Sequence, residues 1–129
     1  MANPNIVSVA TILGGNAGWN LSTGLTTELL SVTAEYVLKI NRIVCTNVHA
    51  TDAANLDLYV GGMGSGATGI STTGADATVY LAKVISVPAN ASLVVLDTPI
   101  YLMEADTLNG GSSAASSLDL FITYETLID

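Results

Sequence analysis

Few residues in this chain are of types that carry reaction chemistry, and their spacing decides what they can do. The one histidine, His49, lies in "CTNVHATDAAN", with Cys45 four residues before it and Asp52 three after. Nucleophilic catalysis needs a base within hydrogen-bonding reach of the nucleophile. On an extended strand a spacing of four puts Cys45 and His49 on one face but roughly 13 Å apart. A turn pairing of His49 with Asp52 is the other arrangement, that of a solvated histidine at a strand end. Glu104 and Asp106, in "YLMEADTL", are the second constellation. Two carboxylates at i, i+2 hold Ca²⁺ only with more oxygen ligands, and only Asp76 or Asp97 offer themselves in space. The other reading is turn chemistry, with Glu104-Ala105-Asp106 as a polar tip and Asp106 bonding the backbone beyond it. We expect the turn, and with it no enzyme, no catalytic residue, no metal and no cofactor.

The glycine-rich stretch "GGMGSGATGISTTGAD", 61–76, has no lysine after its glycines and no helix to follow. It does not match a phosphate-binding loop and reads as an exposed tip. Trp19, the only tryptophan, sits in "GGNAGWNLSTG". It can anchor a core, stack on a sugar or contact a partner. The five tyrosines are spread over different segments, as strand-packing tyrosines are.

The elements that hold these residues are strands. In "NLDLYV" Leu56, Leu58 and Val60 share one face against Asp57 and Tyr59. In "SLDLFITYE" Leu118, Leu120, Ile122 and Tyr124 oppose Asp119, Thr123 and Glu125. In "VYLAKVISV" Val79, Leu81, Ile85 and Val87 fall on one side, interrupted by Lys83. Period two over such lengths predicts half-buried strands. "EYVLKINRIVCTNV" changes phase at Asn41–Arg42, which predicts a β-bulge or a bend between sheets. "LVVLDTPIYLM" is apolar on both faces and should be covered on both, by a second sheet or another subunit. Two weaker strands are expected at about 6–13 and 27–32. Pro88 and Asn90 predict a turn, Asp97-Thr98-Pro99 a break, and Asn109-Gly110 a further turn. No stretch shows helical spacing with caps. Seven or eight short strands predict an all-β chain, an antiparallel β-sandwich of jelly-roll type. Residues 25–129 form the sandwich and 1–24 an N-terminal arm.

The totals limit the partners. At 129 residues with half of them hydrophobic, the chain can bury a core as one domain. Eleven acids against Lys39, Arg42 and Lys83 give a net charge of −8. Three scattered cations make no basic face, so neither nucleic acid nor an anionic membrane is an expected partner. A single cysteine forms no intrachain disulfide and reads as a small buried hydrophobe. "MANPNIVSVATILGG" lacks a basic n-region and a long apolar run. No signal peptide or span is therefore expected, and folding in a cytoplasm is.

The run "YLAKVISVPANASLVVLDTPIYLMEADTL" and the ending "LDLFITYETLID" resemble a family of small virion structural proteins of tailed bacteriophages, especially those of cyanobacteria and other aquatic bacteria. The matching residues are Tyr80 to Lys83, Val87, Pro88, Ala89, Leu93, Pro99 to Leu102, Glu104, Asp106, Leu108, Tyr124 and Glu125. The likeness spans about 36–129 and has no counterpart in the first thirty residues. Asn90 and Ala105 stand where the family has glycine. The resemblance implies a virion structural role without catalytic residues. On it we expect a capsid decoration (cement) protein on the capsid exterior, assembled in the host cytoplasm. Its partners would be the major capsid protein and itself, as a homotrimer. Trp19 on the arm would anchor a neighbour, and Leu93, Val95, Ile100, Tyr101 and Leu102 would form the subunit interface. The alternatives are a neck, tail, baseplate or fibre-base position in the virion, or, from another class, a carbohydrate-binding module.

Overall fold

In the computed structural model, described over residues 11–63 and 76–128, nine strands form two antiparallel sheets. They are β1 (Thr11–Asn20), β2 (Glu28–Ser31), β3 (Tyr36–Asn47), β4 (Ala54–Gly61), β5 (Val79–Val87), β6 (Ser92–Leu96), β7 (Ile100–Leu102), β8 (Thr107–Ser112) and β9 (Leu118–Ile128). The front sheet runs β1-β9-β3-β6, with β7 also on β3, and the back sheet runs β2-β8-β4-β5. That order is a jelly roll whose last front position is shared by two short strands. The break between them is Asp97-Thr98-Pro99, where proline can neither donate to a ladder nor continue the run.

The core lies between the sheets. Leu56, Leu58 and Val60 point inward from β4 and Leu118, Leu120 and Ile122 from β9, all nearly or fully buried, as their alternation predicts. The phase change in β3 is a bulge: Ile40 pairs with Tyr124, Arg42 with Thr123, and Asn41 is the extra residue. Ile40, Ile43 and Cys45 thereby all face the core on one continuous strand. The Pro88 turn closes with Ala91 N donating to Pro88 O at 3.1 Å, and Asn90 takes a φ of +59°.

Several expectations change. Of the strand expected at 6–13, residues 6–10 lie outside the described residues, and from Thr11 the strand β1 runs on to Asn20, so "GGNAGWN" is strand rather than loop. Residues 1–10, part of the expected arm, lie outside the described residues, and 11–20 lie along β9 in unbroken register from Thr11↔Ile128 to Asn20↔Asp119. In β5 the expected inward face fails. Ala82 and Val87 are buried, while Val79 is 47 % and Ile85 40 % exposed. Two register shifts against β4, and Val84 at a φ of +52°, reset the phase that simple alternation assumes. Asn109-Gly110 is no turn but the middle of β8. A Cβ on Gly110 would collide with Asp57 O, and one on Gly111 would lie 2.7 Å from Gly24 O. Gly110 is required by the close approach of β4 and Gly111 by the chain at 22–24 crossing close by, where Thr27 O accepts from Gly110 N and Ser22 O from Ser112 N. Among the described residues the antiparallel sandwich has nine strands, where alternation predicts seven or eight.

Candidate functional site

The polar constellations resolve into turn chemistry. Glu104 Oε2 accepts from Glu35 N at 3.2 Å, fastening the β2–β3 turn to the β7–β8 turn. Asp106 Oδ2 accepts from Met103 N at 2.9 Å, and Asp106 N returns to Met103 O. The bond thus reaches back along the chain, where the sequence suggested forward. Ala105 at the tip has a φ of +71°, the left-handed conformation for which glycine is the usual residue. Burial of Asp106 pushes its carboxyl above the ordinary value of 3.8, and the Met103 N–H partly opposes that. Asp76 and Asp97 join neither carboxylate in a metal-binding group, and no such group of three occurs among the described residues.

His49 is a turn residue. Its Nδ1 accepts from Thr51 N at 3.2 Å and Asp52 N at 3.0 Å, while Nε2 lies 4.0 Å from Asp52 Oδ2. Cys45 is fully buried in the core, and that burial, with Asp119 nearby, pushes its thiol up to about 11. A thiol so placed stays protonated and out of reach of solvent. Most of the glycine-rich loop, 64–75, lies outside the described residues.

What the fold does expose is apolar surface of two kinds. The first is an open cleft of about 390 Å³ where β1 of the front sheet stands over the much shorter β2 of the back sheet. Ala17, Trp19, Tyr36, Leu38 and Tyr124 line its front wall, and Leu30 and Val32 its back, with Ser31, Thr33 and Thr126 at polar points. The cleft exists because four residues of β2 cannot cover ten of β1. Gly15 makes room for one of the lining residues, since the Tyr124 ring occupies the place of its absent side chain, 2.8 Å from an ideal Cβ at Oη.

The second is the outer face of the front sheet, read across the strands. Val94, Val44, Phe121 and Gly18 stand side by side in register. Val94 is 45 % and Phe121 49 % exposed. Polar rows flank them. On one side are Ser92, Thr46, Asp119 and Asn20, joined by Thr46–Ser92 at 2.9 Å and Asn20–Asp119 at 2.7 Å. On the other is Arg42, Thr123 and Asn16. One row further, Tyr101, 46 % exposed, stands beside Lys39 and Glu125. A shallow depression of about 470 Å³ opens beside Phe121, Asp119 and Asn20.

These surfaces separate the residues expected to act together. Tyr101 faces outward. Leu93, Val95 and Ile100 are half-buried against the core, and Leu102 is a core residue, 2 % exposed. Trp19 is half-buried in the cleft on the opposite edge of the sheet from β6. Val44, Val94 and Phe121 were missed. Val44 and Phe121 fall on the polar side of two alternating strands, and only the cross-strand register brings them beside Val94. No family model, no curated protein and no solved structure matches the chain.

Proposed function

We propose that the chain is a non-enzymatic structural protein of a tailed-phage virion, a capsid decoration (cement) protein on the outside of the shell. The observation that carries this reading is the apolar band Val94–Val44–Phe121 between polar rows on the outer face of the front sheet. An apolar centre with a polar rim is the layout of a protein-binding patch. β6 and β9, which supply Val94 and Phe121, also belong to the segments that resemble virion proteins. Jelly rolls serve as capsid domains and as lectins, an analogy at the level of fold alone. In this reading the patch docks on major capsid protein, and copies associated as a trimer bridge neighbouring subunits. Several modest contacts tied together by the lattice then resist expansion through avidity rather than through any one tight interface.

The test is cryo-electron microscopy of virions whose protein inventory includes this chain. Density on the shell bridging capsomers, with Phe121 at the contact, is the expected result. Density confined to the neck or tail overturns the cement role in favour of a tail, baseplate or fibre-base position. A second reading rests on the cleft, where Trp19, Tyr36 and Tyr124 offer aromatic faces to a sugar. Isothermal titration calorimetry of the isolated protein with a glycan panel decides it: saturable heats of binding abolished by Trp19→Ala in a folded variant support a carbohydrate-binding module.

A further inference from the structure

A β-sheet edge presents unpaired N–H and C=O groups, and proteins blunt such edges with charges, bulges, prolines or brevity. Three of the four sheet edges here are blunted. β2 has four residues, a register shift and Glu28. β5 has two register shifts, Lys83 and the left-handed Val84. The β6–β7 edge is broken by Asp97-Thr98-Pro99. β1 has none of these devices: ten residues, "TILGGNAGWN", unbroken in register, without a charge or a proline.

The phase of its open groups follows from one bond. Leu21 N donates to Leu118 O at 2.8 Å, continuing the register in which Asn20 faces Asp119. Hydrogen-bonded pairs alternate in an antiparallel ladder. The odd residues of β1 therefore bond β9, and Ile12, Gly14, Asn16, Gly18 and Asn20 aim their N–H and C=O groups at an edge that no other strand among the described residues pairs.

We infer that this edge pairs with the β1 edge of a second copy, antiparallel, about a twofold axis at Asn16. The strand is self-complementary in that register. Gly14 lies opposite the partner's Gly18, so on the outer side only Asn16 against its own copy and Ile12 against the partner's Asn20 bring side chains together. On the inner side Leu13, 50 % exposed, lies opposite the partner's Trp19 and extends the apolar lining of the cleft. Charge does not oppose the pairing although the chain carries −8. β1 has no charge, and the acids of β9 sit roughly 14 Å from the partner's β9, three strand spacings away. That exceeds a Debye length of about 10 Å at 0.1 M salt. The two front sheets become one continuous sheet, as in strand-addition interfaces generally.

The inference rests on the edge and not on the virion reading, so a particle reconstruction without this chain leaves it standing. The test is sedimentation equilibrium of the full chain at about 10–100 µM. The expected mass is an even multiple of 13.2 kDa, halved in Asn16→Lys, where two lysines would face each other at the axis, with at least tenfold weaker association. Thr123→Lys, the same charge one strand further in, leaves the mass unchanged. Asn16→Cys cross-links two copies under mild oxidation, while the wild type, whose only thiol is buried, does not. A monomer at all concentrations, or an oligomer indifferent to Asn16→Lys and not cross-linked through Asn16→Cys, overturns the inference.

Discussion

β1 and β5 are the long outer strands of the two sheets, ten and nine residues, and they treat their edges in opposite ways. β5 is kinked. Val84 takes a φ of +52° and its N–H turns to Asp57 Oδ1 at 2.7 Å, while Lys83 lies 4.8 Å from the Tyr80 ring centroid and Tyr80 against Tyr59. A valine in the left-handed region costs of order 1–3 kcal/mol, so the surroundings must hold it there. β1 is straight, glycine-rich and uncharged. The protein thus spends conformational strain to close one edge and leaves the other regular. The strain at Val84 sits where the ladder of an outer strand would otherwise stay regular, and it interrupts that ladder.

The largest break in this contrast is expected from Asp57→Ala. Asp57 is 8 % exposed and its carboxylate holds the kink, so its loss leaves the Val84 N–H without its charged acceptor. We expect a loss of about 2 kcal/mol in urea unfolding, the range for a hydrogen bond to a charged group. In β1, two adjacent glycines should respond oppositely. Gly15→Ala puts a Cβ against the Tyr124 ring and should cost about 1 kcal/mol with a change in the near-ultraviolet tyrosine signal, whereas Gly14→Ala meets nothing nearer than 4.0 Å. Gly14→Ala should therefore be neutral or gain about 0.5 kcal/mol by restricting the unfolded chain. Val84→Gly should stabilise by up to about 1 kcal/mol, relief of the left-handed penalty being offset in part by added chain entropy. A net loss would show that the kink is not strained.

The smallest effect tests the turn that joins the two sheets. Asp106 has a folded pKa raised above 3.8 by burial. The folded state then holds the proton more tightly than the unfolded chain, so this contribution is full below pH 3.8 and is lost as pH rises through the raised value. Asp106→Asn keeps an acceptor for Met103 N without the charge. Its thermal midpoint relative to wild type should rise between acid and neutral pH and stay flat above. A constant difference across that range would contradict the burial argument.

The inner residues of β4, β9 and β3 were legible because alternation reports directly which side a side chain takes. The bulge at Asn41 was legible for the same reason, as a break in that alternation. β5 was not, since a positive φ at a valine has no signature in composition. β1 was not, because three glycines in ten residues read as loop, and only the pairing with β9 makes them strand. The turn at Glu104–Asp106 was legible from residue types, but the direction of its hydrogen bond was not. The outer patch escaped because it belongs to no single segment; it is a row across four strands, and rows are a property of register.

β9 carries a consequence for synthesis. It lies inside the front sheet between β1 and β3, and it emerges from the ribosome after both. Until residue 128 is clear, β1 has no ladder to join and one long edge of β3 stays open. The back sheet completes with β8, also late. Folding of this sandwich must then wait for β9 and proceed through long-range pairings, a slow route in which apolar strands stand exposed to one another. Expression at low temperature or low density, where collisions between unfinished chains are rarer, should raise the soluble yield.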